Sequence, residues 1–298
     1  MRQLSCPVCN TLPTLAARPL SKISCNTCGV HWTYLPEEVQ EDQLYRDEVY
    51  AVVDNRQSIF EKIIFSEAKK VLLKAKKLNP NSTTLLDFGS GKGQFLAVAK
   101  SLGWKGLGIE TEEARANFAR THYQTEVLNY FYQSGKVKSG NFDLITLNHV
   151  LEHLPQPMEL LNSLLEENLS ATGLIYIEVP RADSWQAAIA GENWIHWDIP
   201  RHLTHWTESG LLEQLHKIGF EMVDSRSFSI HLGVLGMLQA FLSTLGFREN
   251  LILRLKRKKS PGLLLSIGFL LPFAWILEWI SAKIGKSGIL GIYLRRNG

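Results

Sequence analysis

Hydrophobic residues change their spacing along the chain, and each change marks a different kind of structure. Phe60, Ile64, Ala68, Val71, Ala75 and Leu78 recur at steps of three and four, which predicts an amphipathic helix that Asn79-Pro80 stops. From Thr83 short apolar runs alternate with helical stretches. Thr84–Phe88, Leu107–Glu110, Glu126–Leu128, Phe142–Leu147 and Leu174–Val179 read as buried strands. Between them, one helix sets Phe95, Val98, Ala99 and Leu102 on one face, and others lie near Glu112–Thr121 and Met158–Leu169. Thr207 can cap a further helix through Leu211, Leu212, Leu215 and Ile218, with Gly219 behind it. Gly288–Leu294 has the look of a last strand. The alternation predicts an α/β fold with a doubly wound, Rossmann-like parallel sheet.

Both flanks break this pattern. Residues 1–36 are turn-rich and hold all 4 cysteines. Ser227–Phe247 has His231 as its one ionisable side chain, and Ser260–Leu277 has none. Between these stretches, Arg248, Arg254, Lys256, Arg257, Lys258 and Lys259 face the single acid Glu249. The expected organisation is a zinc ribbon over 1–36, a helical linker over 37–80 and a cofactor-binding domain over 81–230. An apolar and basic helical insert over 231–287 and a final strand within 288–298 complete it. With 45% hydrophobic and 20% charged residues, the 298-residue chain is globular rather than disordered. A net charge of +3 announces no global attraction to nucleic acid. Met1–Asn10 lacks the basic start and apolar run of an export signal, so a cytoplasmic location is expected.

In a reducing compartment paired cysteines suggest metal rather than disulfides. Cys6-Pro-Val-Cys9 and Cys25-Asn-Thr-Cys28 fit a four-thiolate zinc site, in which each Cys-x-x-Cys knuckle turns two thiolates onto one tetrahedral ion. Four protein ligands leave no open position, so the zinc is structural, stapling a segment too short to build its own core. Reactive or redox thiols are the alternative reading.

The central chemistry lies in Leu86-Asp87-Phe88-Gly89-Ser90-Gly91-Lys92-Gly93. A strand enters, glycines turn tightly where side chains would block a ligand from the backbone, and a helix leaves with its amides available to polar groups. Glu110 ends the next strand, where an acid can bind ribose hydroxyls. Asp87 discriminates between cofactors. An acid before the first glycine faces a pyrophosphate unfavourably but suits the ammonium group of S-adenosyl-L-methionine.

With these residues in hand, Leu85–Phe95, Gly108-Ile109-Glu110 and Phe142–Pro157 resemble class I S-adenosylmethionine-dependent methyltransferases. Phe-Asp-Leu-Ile-Thr-Leu-Asn-His-Val-Leu-Glu-His-Leu-Pro-Gln-Pro is similar to the group containing the ubiquinone-pathway O-methyltransferases. The resemblance implies a seven-stranded sheet. It implies that Asp87, Gly89, Ser90, Gly91 and Gly93 line the methionine part of the cofactor, with Glu110 at the ribose, Asn129 near the adenine and Asn148 near the methionine end. The cysteine head, with Leu44, Tyr45 and Tyr50 after it, is similar to bacterial envelope and polysaccharide-cluster methyltransferases. Zinc-headed ribosomal-RNA methyltransferases share the head too.

Methyl transfer is an in-line displacement that needs alignment, plus a base if the acceptor is a hydroxyl. His149, Glu152 and His153 are spaced to share one face of a turn. His149 or His153 can serve as general base. Alternatively, the trio with His202 or His205 can hold a metal, or Glu152 and His153 simply shape the pocket. Where small-RNA 2′-O-methyltransferases have Glu-x-x-Glu-His, this chain has His149 in place of the first Glu. The segment Trp194–Trp206, with Trp197, Arg201, His202 and His205, can form an acceptor wall, or it can be a loop packed for stability alone. Interfacial helices in the insert, with the basic cluster on anionic head groups, predict peripheral attachment to the inner face of the cytoplasmic membrane; a soluble lid, a dimer surface and a spanning helix are the alternatives. The expected acceptor is a small or lipid-linked molecule methylated on oxygen or carbon, in envelope, polysaccharide or quinone metabolism. RNA methylation and a non-catalytic scaffold are the rival readings, and nothing in the residues specifies an oligomeric state.

Overall fold

In the computed structural model, which describes residues 2–14, 17–38, 54, 56–138, 140–251, 254–255 and 260–297, the chain opens with a hairpin. β1 (Lys22–Ser24) pairs antiparallel with β2 (His31–Thr33). The periodicity over 60–78 is realised as α1 (Ile59–Leu78), which buries Ala68, Val71, Leu72 and Ala75. Ser58 caps it by accepting from the Glu61 amide, and the Glu61 carboxylate accepts in return from the Gln57 amide.

The alternating region follows: β3 (Thr84–Phe88), α2 (Gln94–Ser101), β4 (Lys105–Glu110), α3 (Glu113–Phe118), β5 (Glu126–Asn129), β6 (Phe142–Asn148), α4 (Pro157–Asn168) and β7 (Leu169–Pro180). Then come α5 (Trp185–Ala190), β8 (Thr204–His205), α6 (Glu208–Lys217), β9 (Phe220–Arg226), α7 (Leu235–Thr244), α8 (Pro261–Lys283) and β10 (Ile289–Arg296). The main sheet has 7 strands in the order β5-β4-β3-β6-β7-β10-β9. The pairs β4–β5, β3–β4, β3–β6 and β6–β7 are parallel, so the expected seven-stranded α/β sheet is present. Chain order runs outward from β3 through β4 to β5, then returns to β6 on the other side. That reversal between β3 and β6 is a topological switch point, and ligands of such sheets bind beyond the carboxyl ends of the strands there.

Two compact units emerge. The cofactor unit comprises 52–179, 212–225 and 291–298, and its core joins Leu85, Leu96, Trp104, Val127, Leu144 and Tyr176. The second unit, here the head-and-insert unit, comprises 1–51, 180–211 and 226–290. Its clusters join Met237, Leu238, Leu242, Leu251 and Ala274, and Ala187, Ala190, Trp194 and Ala240. The expected domain over 81–230 is thus drawn differently: 180–211 groups with the head and the insert, because β8 pairs with β2 and Trp194 packs with Ala240. β9 is an element the hydrophobic pattern did not reveal. Phe220 is its one buried residue, so the alternation that betrays a half-buried strand is nearly absent. Leu44, Tyr45, Tyr50 and Lys256–Lys259 lie outside the described residues.

Candidate functional site

In the cofactor unit β3 delivers Asp87 to the switch point, and the chain bends through Gly89, Gly91 and Gly93 at φ of 74, 54 and 78°. Those angles favour glycine, but the three positions differ in what surrounds them. A Cβ at Gly89 would lie 2.4 Å from Val150 Cγ2, and one at Gly93 would lie 2.6 Å from Ala119 Cβ. At Gly91 no atom lies within 4 Å, so packing explains the outer glycines and the middle one opens on free space. Ser90 Oγ is buried and has no hydrogen-bond partner among the described residues.

Two carboxylates flank this bend. Glu110, at the end of β4, accepts from the Gly91 amide at 2.7 Å and from the Glu112 amide at 2.9 Å. Asp87 is 2% exposed. It accepts from Thr146 Oγ1 at 2.6 Å and from Asn148 Nδ2 at 3.4 Å. Burial pushes its carboxyl up to about 7; the bonds from Thr146 and Asn148 oppose this and the charge of Glu110 adds to it. A carboxyl held there gains from a nearby cation and loses from a nearby phosphate. The donor set, the orphaned serine and the open backbone therefore fit an aminoacyl cofactor with a positive charge, and they do not fit a pyrophosphate. Asn129 has a structural duty: its Nδ2 donates to the carbonyls of Glu110 and Thr111, both at 2.9 Å.

After β6 the chain enters a left-handed position at His149 (φ 54°) and a single 3₁₀ turn over Leu151–His153. The turn brings His149 Nδ1 within 3.3 Å of Glu152 Oε1, while His149 Nε2 lies 3.3 Å from Glu178 Oε1 on β7. Glu178 also accepts from the Tyr176 hydroxyl. Burial alone would lower the imidazole, but the two carboxylates win and push it up to about 10. An imidazole held between two carboxylates favours its protonated form, a proton donor rather than acceptor. Such a setting disfavours proton uptake from an acceptor hydroxyl by His149, and His153 stands at the end of the same turn. Glu152, 1% exposed, has no hydrogen bond to its carboxylate oxygens among the described residues beyond that ion-pair contact.

The head-and-insert unit holds the other expected residues. Cys6 Sγ lies 3.5 Å from Cys28 Sγ, and Cys9 Sγ lies 3.4 Å from Cys25 Sγ. All four sulfurs fall within 4.8 Å of one another. With Zn–S bonds of about 2.3 Å, the edge of a tetrahedron is roughly 3.8 Å, so the cluster is compatible with a zinc ribbon. Burial pushes the Cys6 thiol up to about 11, so a cation is needed to hold it as thiolate.

β2 extends from this head into a second pairing. His31 stands opposite His205 and Trp32 opposite Thr204, antiparallel, and the Thr33 amide donates to the Leu203 carbonyl at 3.0 Å. Thr33 Oγ1 donates to the His202 carbonyl and lies 2.8 Å from His205 Nε2. Burial lowers His205 to about 3, with Lys22 and His31 adding, so it stays neutral. Trp197 donates to the Gly191 carbonyl, stacks edge-on against Trp194 and His205, and lies under the Lys22 ammonium at 3.4 Å. Arg201 pairs with Asp198, and His202 Nδ1 meets the His196 carbonyl at 2.8 Å. The structure thus brings Trp197, His202 and His205 together within this unit and gives each a partner there.

Sequence reasoning passed over Thr146, Tyr176 and Glu178, which partner the expected residues. Strand alternation held the signal: Thr146 and Asn148 share one face of β6, and Tyr176 and Glu178 share one face of β7.

Comparison with known proteins bears on the family and the fold. A family model described as a methyltransferase domain matches residues 60–225. A ubiquinone biosynthesis O-methyltransferase of Nitrosococcus oceani is 37% identical over 79 residues, 24% of this chain and 34% of that protein. One from Coxiella burnetii is 24% identical over 153 residues, 45% of this chain and 65% of the relative. The chain therefore spans about a third of the first relative and just under two thirds of the second. The crystal structure of the plantazolicin methyltransferase BpumL, in complex with a monoazolic desmethylPZN analog and SAH, superimposes with a TM-score of 0.51 at 20% identity, covering 82% of this chain and 87% of that one. A SAM-dependent methyltransferase from Archaeoglobus fulgidus gives 0.50 at 18% identity, covering 79% and 94%. At such identities these likenesses show the fold.

Proposed function

The chain belongs to the methyltransferase domain family as a class I S-adenosylmethionine-dependent enzyme, and on that premise we propose that it methylates oxygen or carbon of a small or lipid-linked acceptor in the cytoplasm. The likeness to ubiquinone biosynthesis O-methyltransferases supports a small acceptor of quinone, envelope or polysaccharide metabolism. The observation that carries the cofactor assignment is the buried Asp87 carboxyl beside the open backbone at Gly91.

Bound S-adenosyl-L-methionine supplies an electrophilic methyl group on a sulfonium. Asp87 pairs with its ammonium group, and ionisation of Asp87 is completed by that pairing. Ser90 Oγ and the loop amides meet the methionine carboxylate, Glu110 takes the ribose hydroxyls, Asn148 orients Asp87, and Asn129 shapes the adenine end. Glu110 keeps acceptor sites for those hydroxyls beside its bonds from the Gly91 and Glu112 amides. His153 accepts the proton of an acceptor hydroxyl as the oxygen attacks. His149, held as an imidazolium between Glu152 and Glu178, keeps two carboxylates compatible with a buried site and positions the turn that carries His153. Trp197, Arg201, His202 and His205 form the loop proposed to recognise the acceptor. Zinc on Cys6, Cys9, Cys25 and Cys28 is structural: by fixing β2 it fixes β8 and that loop.

Incubation of the protein with methyl-labelled cofactor and a lipid and small-molecule extract tests the reading. A labelled product that disappears in Asp87→Ala is expected. Cofactor binding with no labelled product in any lipid or small-molecule fraction, but with label in added RNA, would replace this acceptor class.

A further inference from the structure

α8 is built inside out. It is the one helix among the described residues long and apolar enough to cross a membrane, with only 11% of its most apolar window buried. In a helix on a water-facing surface, charged residues point outward and the apolar stripe points to the core. Here the inward stripe carries Ala274, Glu278 and Ser281, each 0% exposed. Glu278 accepts from Gln186 Nε2 at 2.7 Å and from the Gly288 amide at 3.0 Å, so the one charged side chain of the helix interior is turned inward and satisfied. Outward stand Leu265 at 75% exposure, Phe269 at 70% and Phe273 at 53%, followed by Ile276, Trp279 and Ile280. A contiguous apolar face of this size marks an interaction surface rather than scattered exposure.

Charge identifies the partner. The chain leading into α8 carries Arg254, Lys256, Arg257, Lys258 and Lys259 with no acid among them, and Lys283 follows at the far end. A second copy of this chain carries the same run of cations, so charge offers it no complementarity. An anionic bilayer attracts them, and indole rings such as those of Trp275 and Trp279 favour the boundary between head groups and acyl chains. Spanning does not fit. The inward side of α8 packs with Met237, Leu238 and Leu242 of α7. The strands before and after the helix, β9 and β10, are neighbours in one sheet, so the chain cannot end on the opposite side after a single crossing.

We propose that α8 lies in the plane of an anionic membrane surface, its Leu265–Phe269–Phe273–Ile276–Trp279–Ile280 face immersed in the acyl boundary. This stands independently of which acceptor is methylated, because it concerns lipid binding and not turnover.

Co-sedimentation of the full chain with vesicles of phosphatidylcholine, with and without phosphatidylglycerol, tests it, with cofactor binding measured on every sample as the check on folding. The expected result is pelleting that rises several-fold with phosphatidylglycerol and falls with salt, and Trp fluorescence quenched by shallowly brominated lipids. Phe269→Glu with Phe273→Glu, at exposed positions, should abolish pelleting and leave cofactor affinity unchanged. If that variant fails to bind cofactor, loss of the bilayer-dependent quenching in Trp275→Phe with Trp279→Phe decides instead. No pelleting, equal pelleting on neutral vesicles, retention in the pellet after an alkaline carbonate wash, or a dimer that Phe269→Glu dissociates without any lipid binding would each overturn the proposal.

Discussion

The two units solve the problem of placing polar groups in opposite ways. The cofactor unit gathers Asp87, Ser90, Glu110, Thr146 and Asn148 from β3, β4, β6 and the turn after β3, all within one stretch of the chain, and leaves Ser90 Oγ without a partner among the described residues. The head-and-insert unit gathers Thr33, Gln186, His205 and Glu278 from segments far apart in the chain and satisfies them with one another. Asp87 and Glu278 make the contrast concrete. Burial raises both carboxyls to about 7. Glu278 holds three segments together through Gln186, Ser281 and Gly288, whereas the side-chain bonds of Asp87 among the described residues come from the one neighbouring strand, β6. One carboxyl fastens the fold, and the other is the proposed anchor for the cofactor.

The strongest way to break this contrast is to remove the proposed zinc staple from the head-and-insert unit. Structural zinc sites contribute roughly 10–16 kcal/mol of apparent binding energy, so chelation, or Cys6→Ser with Cys28→Ser, should have the largest effect of any change. Hydrogen exchange should rise through β1, β2 and β8, while cofactor affinity stays within a few-fold of its starting value. A parallel loss of cofactor binding would mean that the units do not behave as separate compartments.

Next in size is the imidazolium of the cofactor unit. His149→Ala leaves Glu152 and Glu178 facing each other without their cation. A fully buried pair loses roughly 3–5 kcal/mol when one partner is removed, and the side chain of His149 is 25% exposed, so about 2 kcal/mol is expected by denaturant unfolding. The sign with pH follows from the raised value. The stabilisation is complete below the unfolded pKa near 6.5 and is lost as pH rises through about 10. A variant whose stability deficit is already absent at pH 7 would show that the imidazole is neutral there.

Smallest is the link between the head and its loop. Thr33→Val keeps the shape of the side chain but removes its bonds to the His202 carbonyl and to His205, and should cost about 1 kcal/mol, measurable as a lower unfolding midpoint of the head-and-insert unit. An unchanged midpoint would reduce the contact between β2 and β8 to backbone pairing.

The same contrast explains what could be read from the chain beforehand. The glycine turn, Asp87 and Glu110 were legible because strand, turn and helix succeed one another, and every residue of the motif is close in sequence. The cysteine spacing was legible for the same reason. The joining of β2 to β8 was not, because an antiparallel pairing of two-residue length between positions 31 and 205 leaves no local periodicity. Nor was the setting of His149 between two carboxylates legible: its spacing to Glu152 was visible, but the second carboxylate comes from Glu178 on the neighbouring strand. α8 shows the limit from the other side. Its apolar run was plain, yet only the fold reveals that Glu278 and Ser281 point inward while Leu265 and Phe269 point out.

The account rests on Asp87 as the anchor for a cationic cofactor, and calorimetric titration with S-adenosyl-L-methionine across pH, for the native chain and Asp87→Asn, tests it most directly. The native affinity should fall as pH drops below about 7, where the carboxyl takes up a proton and loses its charge. Asp87→Asn should bind roughly 10- to 100-fold more weakly at pH 8 and lack that fall. Equal affinities with the same pH profile would contradict the assignment.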